Sequence, residues 1–129
     1  IYPGEILISK MGDPVARACK VPQQDSRYLM ASDGIRLVPD QKIFERDFVL
    51  YSINASEFRK KAIELSTGST RKRIGLSELK QIKIPMPHLS EQRKIALLIS
   101  SFDKTIATVT KTVALAEAFK KGLLQKLFV

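Results

Sequence analysis

The sequence predicts an α+β protein, in which a small mixed α/β domain at residues 1–89 precedes one long coiled-coil-type helix at residues 90–129. Short strand-like runs separated by turn residues fill the first part, whereas the part from Ser90 onward has no proline and a single glycine, Gly122. A chain of 129 residues is long enough to bury one modest hydrophobic core. We therefore expect one globular domain with a helical extension.

Three short runs near the beginning of the chain have the composition of β-strands. They are Glu5–Ser9, Ala16–Val21 and Gly34–Val38. Residues that favour turns separate them, in the sequences Gly12-Asp13-Pro14 and Ser32-Asp33-Gly34. The sequence thus predicts three strands within the compact domain.

A helical pattern replaces the strand pattern between Glu45 and Ser66. Apolar residues recur there every three or four positions, and the pattern is interrupted near Asn54-Ala55-Ser56. We expect two short helices, with Ser56 as the N-cap of the second and Gly68 just past its end. The apolar positions are Phe48, Tyr51, Phe58, Ala62 and Leu65.

The segment before the long helix is predicted to contain a turn of helix and a strand. A polar loop at Thr67–Arg73 precedes the turn of helix, whose expected cap is Ser77, and Ile82–Met86 has a strand-like composition. Ser90 is a favourable N-cap, and Pro87 blocks extension of a helix backwards. The long helix is therefore expected to begin at Ser90.

The long helix carries a heptad of apolar residues, broken by one polar residue, Lys120. Such a narrow stripe predicts pairing with another helix, and a length of about 60 Å implies that the helix projects beyond its domain. The alternative is an amphipathic helix that folds back on its own domain. The stripe consists of Ile95, Phe102, Val109, Ala116 and Leu123 at one heptad position and Ile99, Ile106, Val113 and Leu127 at the other.

The charge of the chain favours a polyanionic partner. There are 22 Lys and Arg residues against 13 Asp and Glu, a net charge of +9. Nucleic acid is the leading candidate, and an anionic membrane surface or a charge that serves only solubility are the alternatives. No apolar run approaches the roughly 18 residues needed to cross a bilayer. The single cysteine, Cys19, fits a reducing, cytoplasmic setting.

Much of the positive charge lies between residues 59 and 83, where eight cations and two acids give a net +6. Within this segment a glycine and two small hydroxyl residues precede three consecutive cations. Main-chain amides, hydroxyls and cations together suit a nucleic-acid backbone, and an arginine in such a loop can also read guanine. The predicted DNA contacts of this loop are Ser69, Thr70, Arg71, Lys72 and Arg73, which follow Gly68.

A second loop, Gly12-Asp13-Pro14, has cations on both sides. Lys10 precedes it and Arg17 follows it, and strand alternation suggests that both face the same surface as the basic loop. We predict that Lys10 and Arg17 also contact phosphates. The alternative for both loops is a solvated surface whose cations have no specific role.

The residue patterns of common enzymes are missing from the sequence. There is no phosphate-binding glycine loop, no glycine-rich cofactor loop and no Asn/Asp-Pro-Pro-aromatic motif of base methyltransferases.

His88 lies between Pro87 and Leu89 and is expected to be a boundary residue. Cys19 is expected to be a buried structural residue in its strand. With one Cys and one His, neither a disulfide nor a structural zinc site is expected.

A magnesium-dependent nuclease is the enzyme alternative. Asp40 together with Glu78-Leu79-Lys80 loosely resembles the acids and lysine of restriction nucleases, although the spacing is long and the tripeptide lies in a predicted helical turn. We therefore expect no catalysis by this chain, and no metal or cofactor on it.

The junction Ile84–Ala96 reads Ile-Pro-Met-Pro-His-Leu-Ser-Glu-Gln-Arg-Lys-Ile-Ala, a strand-like run that leads into the long helix. With the other segments given below, it resembles the specificity subunits of type I restriction-modification systems. The resemblance covers essentially the whole chain, and the junction is its most specific part. The other segments are Gly4–Ser9, Ser32–Leu37, Gly68–Thr70, Ile74–Lys80 and Lys120–Phe128.

The resemblance implies a non-catalytic protein in which a recognition domain reads one half of a bipartite site on double-stranded DNA. It also implies that the conserved helix sets the spacing, pairs with a second such helix and docks methyltransferase subunits, which connect indirectly to the restriction subunit. The second helix would come from the same parent chain or from a homodimer.

The chain departs from the family in size, because a full subunit usually carries two recognition domains and two helical regions. It is therefore expected to be a fragment or a half-subunit. The rival from another class is a helical scaffold module with incidental positive charge.

Overall fold

A computed structural model describes residues 1–128 of the chain. Within that range the structure confirms the α+β class, with three strands, three short helices and one long helix. Contacts divide the chain into two compact units, Ile1–Arg93 and a second unit that starts at Lys94. The elements are β1 (Ile6–Ser9), β2 (Ala18–Lys20), β3 (Gly34–Leu37), α1 (Arg46–Asn54), α2 (Ser56–Glu64), α3 (Leu76–Leu79) and α4 (Leu89–Leu127).

The three strands form one antiparallel sheet in the order β2-β1-β3. In the central strand, Ile6 and Ile8 are buried and the residues between and after them are half-buried, so one face of the sheet covers the core. All three predicted strands are present, each trimmed by one to three residues at its ends.

The expectation for Cys19 was wrong, because its side chain is exposed. Cys19 is paired with Leu7 across the sheet, and directly paired residues point to the same face. Leu7 alternates with the buried Ile6 and Ile8, so Cys19 lies on the face opposite the core.

The core of the first unit forms where α1, α2 and the segment around α3 cover the buried face of the sheet. Burial of each large apolar side chain contributes about 1.5–3 kcal/mol, which identifies these contacts as the main source of the domain's stability. The cluster includes Ile6, Ile8, Val15, Val49, Ile53, Phe58, Ala62, Ile74 and Leu79.

Three predicted boundaries of the short helices were wrong by one or more residues. Ser56 is the first residue of α2 and Ala55 occupies the N-cap without a side-chain bond, because Asn54 ends α1 directly before it. Gly68 is not a cap either, since α2 ends at Glu64 and Gly68 belongs to the next loop. In α3, Gly75 holds the cap position and Ser77 lies inside the helix.

The predicted strand at Ile82–Met86 is not a strand in the structure. Pro85 and Pro87 lack the N–H groups that a sheet ladder requires, so the segment cannot pair along its length. Ile82 and Ile84 instead pack against the core as partly buried residues.

The long helix was predicted correctly, but it begins at Leu89 rather than at Ser90. His88 therefore precedes the helix, and its Nδ1 atom lies 3.1 Å from the Ser90 hydroxyl. The helix has 39 residues, which corresponds to a length of about 58 Å at 1.5 Å per residue.

A buried glutamine fixes the start of α4 within the first unit. Gln92 is 1% exposed, and its Oε1 accepts a hydrogen bond of 2.9 Å from the Glu45 amide at the N-cap of α1. Its Nε2 donates to the carbonyl oxygens of Pro87 at 2.8 Å and Ile43 at 3.3 Å. All of the polar groups of this side chain are thus satisfied, which gives the glutamine of the junction a structural role.

Candidate nucleic-acid interface

The basic loop predicted from the sequence is closed by two backbone hydrogen bonds. The Thr67 amide donates to the Arg73 carbonyl at 2.9 Å, and the Arg73 amide donates to the Thr67 carbonyl at 2.8 Å. Gly68 has a φ of +101°, and a Cβ atom there would lie 2.5 Å from the Arg71 carbonyl oxygen. Glycine is therefore required at this position, and the loop has a defined shape.

The loop is attached to the residues that follow β1. The Ile74 amide donates to the Lys10 carbonyl at 2.9 Å, and the Gly12 amide donates to the Lys72 carbonyl at 3.3 Å. Met11 and Arg73 also form an isolated β-bridge. Two segments about sixty positions apart in the sequence therefore lie side by side.

An open concavity of about 670 Å³ lies between these two segments, and we call it the first basic concavity. Arg71 and Lys72 are exposed, and neither has an ion-pair partner among residues 1–128. Two acids, Asp13 and Asp33, also lie on its wall, so the positive charge is concentrated on the loop side. The lining residues are Met11, Gly12, Asp13, Asp33, Ser69, Thr70, Arg71 and Lys72.

Arg73 differs from its two neighbours because its guanidinium is already paired. One terminal nitrogen of Arg73 lies 2.7 Å from Oδ1 of Asp33. Gly34 pairs with Ser9 in the sheet, so the chain just before β3 lies beside Lys10. The Lys10 amide donates a hydrogen bond of 2.7 Å to the Asp33 carbonyl, which places Asp33 near Arg73. No sequence pattern indicated this ion pair, which joins a turn residue to the basic loop.

Lys10 lies close to the first basic concavity but does not line it. Its Nζ atom donates to the Ser32 carbonyl at 3.0 Å, which uses one of the three N–H donors of the ammonium group. Two donors stay available to another ligand. Lys10 also borders an apolar cavity of about 740 Å³, which no sequence pattern indicated.

Arg17 is not brought to the first basic concavity. Its side chain is exposed, and its carbonyl accepts a hydrogen bond of 2.8 Å from the Ser9 amide. Burial and the nearby positive charge of Arg17 together lower the pKa of Arg59 below its usual range. Arg17 therefore lies near enough to Arg59 on α2 for their charges to interact, a proximity that sequence spacing could not reveal.

Another arginine is held by an acid and a tyrosine. Arg36 Nε donates to Glu5 at 2.8 Å, and its guanidinium lies 5.7 Å from the centre of the Tyr2 ring. The hydrogen bond from Arg36, with a further bond from the Tyr2 amide, lowers the pKa of Glu5 from 4.5 to about 2. Arg36 is thus engaged within the fold.

The predicted pairing residues of α4 leave a broad apolar surface exposed. Phe102, Ile106, Val109, Val113 and Leu127 are between 51% and 71% exposed. Ile95 and Ile99 are half-buried, whereas Ala116 and Leu123 are exposed. Other apolar residues outside the predicted heptad are exposed as well: Leu97, Leu98, Leu115, Phe119 and Leu124.

Comparison with known proteins identifies the family. Residues 1–117 match the family model of the type I restriction modification DNA specificity domain. The chain belongs to this family. The resemblance inferred from the junction Ile84–Ala96 is thereby confirmed.

Two relatives of this specificity-domain chain come from Methanocaldococcus jannaschii. The type I restriction enzyme MjaVIII specificity subunit is 32% identical over 125 residues, which is 97% of this chain and 25% of the relative. A second protein, provisionally named the type I restriction enzyme MjaX specificity subunit, is 34% identical over 130 residues, covering 97% of this chain and 30% of the relative. The chain thus spans between a quarter and a third of the length of these relatives.

Two further findings concern the described part of the specificity-domain chain. Within residues 1–128, no helix combines the length and the apolarity needed to cross a membrane. Nor do three or more His, Cys, Asp or Glu side chains in that range gather closely enough to hold a metal ion.

Proposed function

We propose that this chain binds double-stranded DNA, reads one half of a bipartite target and catalyses no reaction itself. The observation that carries the proposal is the first basic concavity. There a loop of defined shape presents two exposed cations, Arg71 and Lys72, which have no ion pair among the described residues. Family membership supports the same role, since the matched model describes a DNA specificity domain.

The residues of the basic loop divide into two kinds of contact. Arg71 and Lys72 bind phosphate oxygens, with Ser69 and Thr70 donating hydroxyl hydrogen bonds, as in the common pattern of backbone contacts. Lys10 adds a further phosphate contact next to Ser32.

Arg73 is the candidate for reading a base edge. The ion pair with Asp33 restrains its guanidinium, and a restrained guanidinium loses less side-chain entropy when it forms two hydrogen bonds to guanine. A phosphate contact would not require such restraint.

The long helix acts as a spacer and carries the surface through which the chain assembles with other subunits. Its exposed stripe pairs with a second helix of the same kind, from the same parent polypeptide or from a second copy, and docks methyltransferase subunits that link indirectly to the restriction subunit. The exposure of Ile106 at 63% and Val113 at 51% supports this proposal, because contiguous apolar surface of this extent marks interaction sites.

The salt dependence of DNA binding tests the proposal. Replacing Arg71→Gln and Lys72→Gln together should reduce the log–log slope of affinity against salt by about two, because each phosphate contact contributes about 0.9. This variant leaves the Arg73–Asp33 pair in place. The measurement is a titration of the 129-residue chain with a random duplex library at several salt concentrations.

The matched control is Arg27→Gln/Lys42→Gln, which removes two exposed cations that do not line the first basic concavity. It should change the slope much less. Equal slopes for the wild type and the Arg71/Lys72 variant would contradict the proposal. Absence of duplex binding by the wild type would favour the scaffold module, and magnesium-dependent cleavage by the isolated chain would favour the nuclease.

A further inference from the structure

A second concavity lies on the other side of the Gly12-Asp13-Pro14 turn. Asp13 lines the first basic concavity, whereas the next residue, Pro14, lines this second one of about 680 Å³. Its other walls come from the end of α1 and from one side of α2. The lining residues are Pro14, Asn54, Ser56, Arg59, Lys60, Ile63 and Glu64.

Arg59 contacts a polar side chain in this second concavity. Asn54 exchanges two hydrogen bonds with the backbone of Ala18, at 3.1 Å and 2.9 Å, and so ties the end of α1 to β2. Arg59 then donates to the same Asn54 side-chain oxygen at 3.4 Å. The Arg59 Nε–H group is buried and has no hydrogen-bond partner among the described residues. Asn54 therefore restrains one nitrogen of the guanidinium, which has further N–H donors.

The cations Arg59 and Lys60 line this second concavity, and Arg17 lies near Arg59. Neither Arg17, Arg59 nor Lys60 forms an ion pair within residues 1–128, although Glu64 lines the same concavity. Burial and the charge of Arg17 both lower the pKa of Arg59, so the two guanidinium groups repel each other in the free protein. An anion that contacts both groups would relieve this repulsion.

We infer that Arg17 and Arg59, with the Ser56 hydroxyl, form a second phosphate site that holds the DNA backbone separately from the basic loop. The inference rests on the proposed DNA-binding function. Guanidinium groups suit phosphate because they donate parallel hydrogen bonds to two oxygens. The DNA backbone is then held on both sides of the Gly12–Pro14 turn, which fixes the register in which Arg73 meets the bases.

A double-mutant cycle on the salt slope tests whether the two arginines share one phosphate. The variants are Arg17→Gln, Arg59→Gln and the combination, titrated with the random duplex library in the 129-residue chain. Because one phosphate contributes about 0.9 to the slope, the combination should reduce the slope by about one. Two independent contacts would reduce it by about two, and that result would overturn the shared site.

Controls separate this site from net charge and from the basic loop. Arg27→Gln/Lys42→Gln removes the same number of charges and should have a much smaller effect on the slope. Adding Arg71→Gln/Lys72→Gln to the Arg17/Arg59 variant should reduce the slope by a further two or so, because distant contacts are additive. Far-ultraviolet circular dichroism checks that each variant folds.

If Arg59→Gln does not fold, Arg59→Lys is used as a second variant, because it keeps the charge. The rescue variant should bind with a slope close to that of the wild type but lose affinity, since an ammonium group cannot reproduce the paired hydrogen bonds. If the Arg71/Lys72 variant flattens the slope and the Arg17/Arg59 variant matches the Arg27/Lys42 control, the second site is overturned while the proposed function stands. A wild-type chain that does not bind duplex DNA would overturn both.

Discussion

The two compact units differ in how far their apolar side chains are exposed to solvent. In the first unit, Ile6, Ile8 and Ile74 are at most 3% exposed, and the cations lie at the surface. In the second unit, Phe102, Ile106 and Phe119 are each more than 60% exposed. A unit with its own core can interact with a partner through its charged surface. A helix with an uncovered apolar stripe gains stability only when another surface covers it.

We expect the two units to contact different partners because of this difference. Salt screens the attraction between exposed charges and so weakens it. The stabilisation gained by burying apolar surface is not weakened by this screening. We therefore expect salt to control the contacts of the first unit and apolar substitutions to control those of the second.

The largest expected effect concerns helix pairing. Ile106→Asp together with Val113→Asp should abolish association through α4, because unpaired charges in a helix interface are very unfavourable. Sedimentation velocity of the parent assembly measures the loss. Thr108→Asp, two positions from Ile106 and off the apolar stripe, is the matched control for Ile106→Asp and should assemble normally. Normal assembly of the Ile106/Val113 variant would show that the stripe is not the pairing surface.

Replacing one glycine in each unit by alanine should change stability by a smaller amount, with opposite signs in the two units. Gly68→Ala should lower the free energy of unfolding of the first unit by about 1–3 kcal/mol, because φ is +101° and the new Cβ would meet the Arg71 carbonyl. Gly122→Ala should stabilise α4 by about 0.5–1 kcal/mol, because alanine is the better helix former. The added Cβ would meet no described atom within 4 Å.

Urea unfolding followed by circular dichroism measures both glycine variants. Gly68→Ala should also weaken binding of the duplex library, because the loop that carries Arg71 and Lys72 changes shape. A Gly68→Ala protein with unchanged stability and affinity would show that the loop tolerates a side chain and that its shape is not fixed.

The smallest expected effect is the acid dependence of the Glu5–Arg36 pair. The pKa of Glu5 is about 2 in the folded chain and 4.5 without the pairing, so its contribution is present above pH 4.5 and is lost as the pH falls towards 2. The effect should be small, because the pair is partly exposed and screened by water.

Acid titration of unfolding in the wild type and in Glu5→Gln measures this contribution. The variant should lack the part of the stability loss between pH 4.5 and pH 2 that the wild type shows. Identical acid profiles would mean that the Glu5–Arg36 contact does not persist in solution.

Local patterns predicted the elements better than their ends. The strands and the long helix followed from alternation and from heptad spacing, which depend on residues close in sequence. Ser56, Ser77 and Ser90 were each expected as caps, but neighbouring residues took those positions because the preceding chain fixed where each helix starts. The strand expected at Ile82–Met86 failed because composition did not account for the missing amides of its prolines.

Local sequence patterns were sufficient to predict the α+β class, the long apolar stripe, the local excess of positive charge and, through the junction before α4, the family. Only the folded chain shows which charged residues lie near one another. Pairing of Ser9 with Gly34 brings Asp33 to Arg73, and the Asn54–Ala18 contact brings Arg59 towards Arg17. These contacts join residues tens of positions apart, so they depend on sheet register and packing, which no local sequence pattern encodes.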